Sequence, residues 1–209
     1  MPSDDRMAFE RNVDVSRETI DRFAQFAETL KKWNRKINLV SSGTIDAIWS
    51  RHFLDSAQIF ELAPATAIKW TDIGSGGGFP GLVVAILAKE KRPDLTFSLI
   101  ESDIRKSVFL STIARDLSLN VQVIAQRIED AAPQCADIVS ARALAPLDVL
   151  MRYADRHGTT GGAFLFQKGA SYQTELTAAR ESWHMDCDVI PSITDPNSAI
   201  LMVKGYHSV

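Results

Sequence analysis

The amino-acid sequence predicts an α/β fold in which helices cover both faces of an open, mostly parallel sheet, with a small helical cap at the N-terminus. Two observations predict it. After residue 63, short β-type runs that are apolar on both sides alternate with amphipathic helical runs. A glycine-rich loop joins the first strand-like run to the first helical one, as in Rossmann-like sheets.

Residues 1–63 are assigned to the cap because their apolar side chains recur at helical spacing. One helix is predicted after Ser16, a suitable N-cap residue, and a second helical stretch runs from 45 to 59. Residues 41–43, Ser-Ser-Gly, indicate a loop between them. The apolar face of the first helix consists of Ile20, Phe23, Ala24, Ala27 and Leu30.

Residues 64–209 carry the predicted sheet. Its strand-like runs are 68–73, 96–101, 121–125, 137–141, 163–167 and 199–204. Its helical runs are 81–91, 103–117, a stretch near 147–156, and 172–183. The last two short runs, near Val189 and Ala199, are close enough in sequence to pair antiparallel at one edge. Ligands of such sheets bind at the carboxyl ends of the strands, near the point where the strand order reverses.

The composition excludes several classes of protein. Of the 209 residues, 45% are hydrophobic and 23% charged, which is typical of a globular protein. The formal net charge of −3 excludes a field that is basic over the whole chain, so a nucleic-acid partner would need a local patch. The longest apolar run, residues 82–88, is shorter than the roughly 20 residues of a membrane helix.

Residues 1–14 are charged and lack the apolar core of a secretory signal, so a cytoplasmic protein is expected. Cys135 and Cys187 are far apart in sequence, as expected of reduced thiols in that compartment. His184 and Cys187 could form half of a zinc site, but no second pair accompanies them, and no metal is expected. We also expect a monomer that does not contact membranes.

The loop at residues 72–81 is the strongest functional signal. Glycines let the backbone approach a ligand closely, and the helix that follows offers unpaired N–H groups. Read as D-x-G-x-G-x-G, the loop places Asp72, Gly74, Gly76 and Gly78 in the spacing of methyltransferases that use S-adenosylmethionine. Glu101 ends the next strand beside the same crevice, where a carboxylate accepts hydrogen bonds from a ribose diol.

Alternative interpretations of this region stay open. Gly76, Gly78 and Gly81 also match the G-x-G-x-x-G spacing of dinucleotide-dependent oxidoreductases, although Pro80 lies inside that frame. The loop could instead be only a tight strand–helix turn. After the third strand, residues 126–129 could line an adenine site through Ile128 and Glu129, or they could begin a surface turn.

Five segments carry a more specific resemblance, which covers most of the chain. They are WNRKINL at 33–39, RHFLDS at 51–56, the loop at 72–81, SARA at 140–143 and QKG at 167–169. On these segments the sequence closely resembles the bacterial 16S rRNA guanine-N7 methyltransferases, the RsmG family, also called glucose-inhibited division protein B.

The resemblance implies transfer of a methyl group from S-adenosyl-L-methionine to N7 of a guanosine in the 530 loop of 16S rRNA, at position 527. It implies a class I methyltransferase sheet whose last strand is antiparallel. The alternatives are a methyltransferase acting on another RNA or a small molecule, an NAD-dependent oxidoreductase, and a cofactor-binding module without enzymatic activity. The cofactor contacts that the resemblance implies are Gly74, Phe79, Ile128, Glu129 and Arg142, with Glu101 at the ribose.

The chemistry of N7 limits what the protein must supply. N7 of guanine has a free lone pair and no proton, so the reaction needs alignment of the reactants and no general base. Arg142 follows the fourth strand and could pair with the methionine carboxylate, a phosphate or guanine O6, or be a structural arginine. Lys168 ends the fifth strand and could hold O6 or a phosphate, or be a solvated lysine. The resemblance favours both as residues that position the substrate.

Basic side chains cluster at the end of the first predicted helix, where no acidic residue occurs from 29 to 45. These side chains could contact RNA phosphates. Alternatively, they could only complement the dipole at the C-terminus of the helix, and Trp33 would then belong to the core. The resemblance favours the RNA-binding role. His52 and Asp55 are expected to form an internal hydrogen-bonded pair that joins the cap to the core. The residues expected at the RNA are Lys31, Lys32, Arg35, Lys36 and Asn38, with Arg105 and Arg127 extending the surface.

Overall fold

Two helices pack against each other at the start of the chain. The computed structural model describes residues 4–209, with α1 at Asp4–Asn12 and α2 at Arg17–Asn34. Ser16 is the N-cap of α2, as predicted, and its side chain accepts a hydrogen bond from Thr19 N. Phe9 of α1 meets Phe23 of α2 edge to face, with ring centroids 4.9 Å apart. The sequence did not predict α1, which is mostly polar and buries only Phe9.

The second helical stretch predicted for the cap is present, but it is not one regular α-helix. Residues 42–62 are helical but change helix type along the segment: 3₁₀ at Ser42–Ala47, π at Trp49–Leu54, α3 at Asp55–Ala57 and 3₁₀ at Phe60–Leu62. The Asp5 carboxylate accepts hydrogen bonds from the backbone N–H groups of Trp49 and Ser50, both at 2.9 Å. Trp49 and Phe53 also pack edge to face at 5.2 Å. Asp5 therefore caps the first N–H groups of the π-helical segment from outside it.

Within residues 4–209 the strands form one seven-stranded sheet with the order β3-β2-β1-β4-β5-β7-β6. The strands are β1 Lys69–Ile73, β2 Thr96–Ile100, β3 Val121–Ile124, β4 Ala136–Arg142, β5 Gly158–Lys168, β6 Trp183–Pro191 and β7 Ala199–Ser208. The pairs among β1 to β5 are parallel, and β7 runs antiparallel to both of its neighbours. The strand order reverses between β1 and β4, which marks that crevice as the ligand position.

Helices cover both faces of the sheet, which confirms the predicted fold class. On one face, α4 (Gly81–Lys91) and α5 (Ile104–Asp116) share a core with α2. On the other, α6 (Leu147–His157) and α7 (Tyr172–Ala179) form a second core. Phe26 of α2 stacks on Phe79, with ring centroids 5.6 Å apart. Residues 4–63, here called the N-terminal segment, therefore pack directly on the sheet. A domain boundary between residues 63 and 64 stays a prediction.

Several predicted boundaries need correction. β5 begins at Gly158, five residues earlier than predicted, because Gly158 pairs with Ala136 across an irregular register. The helix predicted to reach residue 183 ends at Ala179. Trp183 instead begins β6, where its ring packs against Tyr206 of β7 at 6.0 Å. The pairing of the two last strands is antiparallel, as predicted, but it is longer than the sequence indicates.

No helix in the described part of the chain has the length and apolar character needed to cross a bilayer. Among residues 4–209 there is also no group of three or more metal-binding side chains. Cys135 and Cys187 are free thiols.

Candidate functional site

A cavity of about 520 Å³ lies at the carboxyl ends of the central strands, where the sequence predicts the ligand. Seven of the predicted cofactor residues line it, together with Arg127, which was assigned to the RNA. Those seven are Gly74, Gly76, Phe79, Glu101, Ile128, Glu129 and Arg142. Lining residues that sequence reasoning did not assign to the cofactor are Leu39, Ser75, Gly77, Ile100, Ser102, Lys106, Gln126, Ala143, Leu144, Ala145 and Tyr153.

The glycine loop forms one wall of this cavity. Gly74 has φ +66°, a conformation that favours glycine, and a Cβ atom there would lie 2.5 Å from Cδ1 of Leu144, so that side chain would have to move. The N–H groups of Gly74 and Ser75 both donate to Ile100 O, at 2.9 and 3.1 Å, which ties the loop to β2. The Phe79–Pro80 peptide bond is cis.

Asp72 and Gly78 do not line the cavity. Asp72 is fully buried behind the loop, where its Oδ1 accepts a hydrogen bond from Ser140 Oγ at 2.7 Å and its Oδ2 has no hydrogen-bond partner among the described residues. Burial raises the pKa of the Asp72 carboxyl from 3.8 to about 6, although hydrogen bonds oppose the shift. The residue therefore supports the turn between β1 and α4 from inside. Its assignment to cofactor binding stays a prediction.

Glu101 connects the glycine loop to the start of α5. Its Oε2 accepts a hydrogen bond from Gly76 N at 2.8 Å, and its Oε1 accepts one from Asp103 N, also at 2.8 Å. Each carboxylate oxygen has two lone pairs, so both can still accept a ribose hydroxyl. Glu101 is 8% exposed, and these two hydrogen bonds hold its carboxylate at the cavity wall.

The loop after β3 forms the opposite wall. Ile128 is buried and supplies an apolar surface, while Glu129 receives a hydrogen bond from the Tyr153 hydroxyl at 2.6 Å. His157, buried at the end of α6, donates through Nε2 to Ile128 O at 2.9 Å. An apolar side chain beside acceptors suits the face and edge of an adenine ring.

Arg142 lines the first cavity, and its guanidinium is bound by side chains of the N-terminal segment. Its Nη1 donates to Asp55 Oδ2 and its Nη2 to His52 Nδ1, both at 3.1 Å, and its guanidinium lies 4.7 Å from the Phe79 ring centroid. Because an arginine only donates, His52 Nδ1 carries no proton, and Nε2–H donates to Thr44 Oγ1 at 2.8 Å. Burial, with the charge of Arg142, lowers the pKa of His52 to about 4, which keeps the ring neutral.

The expected direct bond between His52 and Asp55 is therefore wrong, because each of them binds Arg142 instead. The Asp55 carboxylate accepts further hydrogen bonds besides the one from Arg142. Gln167 Nε2 donates to its Oδ2 at 3.1 Å and Thr194 Oγ1 to its Oδ1 at 2.8 Å. The pair does join the N-terminal segment to the sheet, as predicted, but it does so through residues of β4, β5 and the loop before β7.

A second cavity, of about 460 Å³, shares its wall with the first along residues 142–145. Lys168 lines this second cavity and not the first. It is 8% exposed, pairs with Glu175 and donates to Ala145 O at 2.8 Å. The alternative of a solvated strand-end lysine is therefore wrong. The structure brings Arg142 and Lys168 to adjoining walls, with Arg142 common to both cavities.

The predicted RNA-binding side chains lie in two regions. Lys31 and Lys32 lie in the last turn of α2, and Arg35, Lys36 and Asn38 are exposed on the segment that follows. Trp33 of this segment is half-buried and packs on Phe109 at 5.6 Å, as its core alternative predicts. Asn34 Oδ1 accepts hydrogen bonds from Leu39 N and Val40 N, at 2.9 and 3.0 Å. Because Leu39 lines the first cavity, the basic segment runs up to its edge.

Arg105 and Arg127 are also exposed, at the start of α5 and in the loop after β3. Arg105 pairs with Asp103 at 3.1 Å, and both side chains are accessible to solvent. An exposed pair of this kind is weak, so Arg105 can exchange its partner for a phosphate at little cost.

The first cavity fits S-adenosylmethionine in size and in the residues that line it. Its volume is within the range of small-molecule sites, its glycine loop excludes side chains where a ligand would approach, and an acidic residue and an apolar wall lie opposite each other. Gly74, Gly76 and Phe79 would hold the amino-acid end, Glu101 the ribose, and Ile128 and Glu129 the adenine. The bound group would supply the electrophilic methyl.

Comparisons with known proteins show similarity over most of the chain. A family model described as rRNA small subunit methyltransferase G matches residues 19–201. The ribosomal RNA small subunit methyltransferase G of Ruegeria sp. (strain TM1040) is 51% identical over 197 residues, which are 94% of this chain and 96% of that protein.

Solved structures show the same fold. A SAM-dependent methyltransferase from Aquifex aeolicus matches with a TM-score of 0.57 at 10% identity, covering 85% of this chain and 97% of that one. TYW2 of M. jannaschii in complex with AdoMet matches with a TM-score of 0.58 at 15% identity, covering 84% of this chain and 80% of that one.

Proposed function

The chain belongs to the rRNA small subunit methyltransferase G family and is an S-adenosylmethionine-dependent rRNA methyltransferase, and from this premise we propose that it methylates N7 of a guanosine in the 530 loop of 16S rRNA, at position 527. The family assignment excludes two of the alternatives, a dinucleotide-dependent oxidoreductase and a cofactor-binding module without enzymatic activity. The names of its relatives give ribosomal RNA of the small subunit as their substrate, which supports 16S rRNA as the substrate of this chain. Action as a monomer in the cytoplasm is part of the same proposal.

The arrangement of the two cavities is the observation that carries the proposal. A methyl donor in the first cavity needs an acceptor base in line with its sulfur–methyl bond and close to it. The second cavity adjoins the first along residues 142–145, so a base in the second cavity would lie next to a methyl donor in the first, with Arg142 between them. Of the residues that the structure describes, two carboxylates line the second cavity, Asp55 and Glu175, and they are paired with Arg142 and Lys168. Guanine N7 suits such a cavity because its lone pair carries no proton and needs no proton acceptor.

Arg142 and Lys168 are proposed to position the base. The Lys168 ammonium has three N–H donors, of which Glu175 and Ala145 O take two within the described chain. The third remains for guanine O6, which lies on the same edge of the base as N7. Arg142 is fixed on the Phe79 ring by Asp55 and His52, so its remaining donors are available for O6, a phosphate or the methionine carboxylate.

The basic residues are proposed to hold the RNA around this point. Lys31, Lys32, Arg35, Lys36 and Asn38 lie on the segment that leads to the cavity edge at Leu39, while Arg105 and Arg127 extend the surface beyond it. With a net charge of −3, the protein binds stray RNA weakly and depends on the shape of its target or on ribosomal context.

The proposal is tested by methylation of purified 16S rRNA and of 30S particles that lack the modification, followed by mapping of N7-methylguanosine. We expect one modified base, in the 530 loop. RNA carrying 7-deazaguanosine at position 527 is the matched control and should accept no methyl group. A product at another position, or transfer to the 7-deaza RNA, would overturn the substrate assignment.

A further inference from the structure

Helix α6 holds the loop after β3 through three side chains. The Tyr153 hydroxyl donates to Glu129 Oε1 at 2.6 Å, Arg156 Nη2 to Ala131 O at 2.9 Å, and His157 Nε2 to Ile128 O at 2.9 Å. Two of these bonds go to the backbone and fix the position of the loop. The bond from Tyr153 is different, because its acceptor is the side chain of Glu129, which lines the first cavity.

Tyr153 has two roles at this wall. Its side chain lines the cavity itself, and its hydroxyl binds the carboxylate of an otherwise exposed Glu129. The hydrogen bond from Tyr153 lowers the pKa of Glu129, and the same bond raises the pKa of Tyr153. At neutral pH the tyrosine is therefore the donor and the glutamate is ionised, which leaves Oε2 as a second acceptor.

The chemistry of adenine gives this acceptor a purpose. Adenine presents an exocyclic amine, which donates hydrogen bonds, whereas hypoxanthine presents a carbonyl oxygen at the same position, which a carboxylate repels. A carboxylate that is held in place discriminates between these two bases more sharply than one that rotates into solvent. An exposed glutamate without a partner has that freedom.

We propose that Tyr153 is a positioning residue that sets the base specificity of the cofactor site by holding the Glu129 carboxylate against the exocyclic amine of adenine. The inference rests on the proposed placement of the adenosine of S-adenosylmethionine between Ile128 and Glu129. It concerns the cofactor alone and does not depend on which base of the RNA is methylated.

Calorimetry with two ligands tests the role of Tyr153. S-adenosyl-L-homocysteine carries the amine, and S-inosyl-L-homocysteine carries the carbonyl in its place. In Tyr153→Phe, which keeps the ring and removes only the hydroxyl, we expect the affinity for the adenosine ligand to fall about 3- to 10-fold. The affinity for the inosine ligand should stay within about 2-fold of the unchanged protein, so that discrimination narrows.

The controls separate this role from a general loss of structure. Tyr172→Phe on α7 removes a hydroxyl whose hydrogen bond within the described part of the chain comes from Gln173, outside both cavities, and it should leave both affinities unchanged. In Glu129→Gln the further change Tyr153→Phe should cost much less than it does in the unchanged protein. Melting temperatures of all variants check the fold.

An equal fall for both ligands in Tyr153→Phe, or no fall at all, would overturn the inference. If the unchanged protein bound the inosine ligand as tightly as the adenosine ligand, the inference would fail as well. Transfer to a base other than guanosine 527 would overturn the proposed substrate without touching the Tyr153 result, so the two failures are distinguishable.

Discussion

Arg142 shows how much of the site depends on single side chains from distant parts of the sequence. It ends β4, yet its guanidinium is held by Asp55 and His52 of the N-terminal segment. A cation placed in a largely buried position needs such partners, because removal of one leaves the charge uncompensated. The sequence predicted Arg142 at the cofactor but gave no sign of which residues hold it.

Gly74→Val is expected to abolish binding of the cofactor. Valine cannot adopt φ +66° without strain, and its Cβ would lie 2.5 Å from Cδ1 of Leu144, at the seam between the cavities. Calorimetry with S-adenosylmethionine measures the effect. Gly43→Val is the matched control, because a Cβ there meets nothing within 4 Å, and it should bind normally. Binding by Gly74→Val would contradict the assigned role of the loop.

Lys168→Ala should impair turnover or RNA binding and leave cofactor affinity within about 2-fold. The reason is its place in the second cavity, against Glu175 and the carbonyl of Ala145, away from the first. Steady-state kinetics with 30S particles and calorimetry with the cofactor give the two readouts. Lys204→Ala removes an exposed lysine paired with Asp188 and serves as the control. A large cofactor defect in Lys168→Ala would show that its role is wrongly assigned.

At the scale of elements, the parallel strands β1 to β5 were predictable because each contains a short apolar run. β6 was indicated only near Val189, because polar residues alternate with apolar ones along it. For residues 42–62 only the helical character was predictable. The succession of 3₁₀, π and α turns was not, because the segment contacts Asp5 and aromatic side chains more than 20 residues away in sequence. The same limit applies to the site. Glu101 was found at a strand end, but Tyr153 lies on a helix 24 residues from the Glu129 that it binds. No spacing rule along one element connects them.

The junction of α2 with α4 gives a prediction about stability. Ser16 caps α2, and Glu90 of α4 accepts hydrogen bonds from both its N–H and its hydroxyl, so the cap also ties two helices together. Ser16→Ala should lower the free energy of unfolding by about 1 kcal/mol, as loss of an N-cap does. Urea denaturation measures the change. Ser16→Asp places a like charge beside Glu90 and should recover little of the loss, although aspartate is a good N-cap elsewhere.

At the scale of the whole molecule, two buried groups give the stability opposite dependences on pH. The folded protein holds a proton on Asp72 up to about pH 6, where the unfolded chain has released it, so Asp72 makes stability fall as pH rises from about 4 to 6. His52 stays neutral in the folded protein down to about pH 4, so it makes stability fall as pH drops from 6.5 to 4. Over this window the two effects offset each other.

Asp72→Asn should therefore expose the effect of His52. We expect the free energy of unfolding of this variant to drop by roughly 2 kcal/mol more than that of the unchanged protein between pH 6.5 and pH 4. Urea titrations at several pH values across the window test it, with Asp188→Asn as an exposed control. Parallel profiles for the variant and the unchanged protein would mean that Asp72 is ionised in the fold.

The hydrogen bonds of Asp55 have a consequence for the order in which the molecule assembles. Its carboxylate joins partners that are 87, 112 and 139 residues further along the chain. Bringing residues so distant in sequence together costs loop-closure entropy, which slows the formation of their contacts. During synthesis the N-terminal part of the chain emerges first, so the hydrogen bond from Thr194 to Asp55 can form only after residue 194 has emerged. Until then Asp55, which holds Arg142 at the candidate site, lacks its full set of hydrogen bonds.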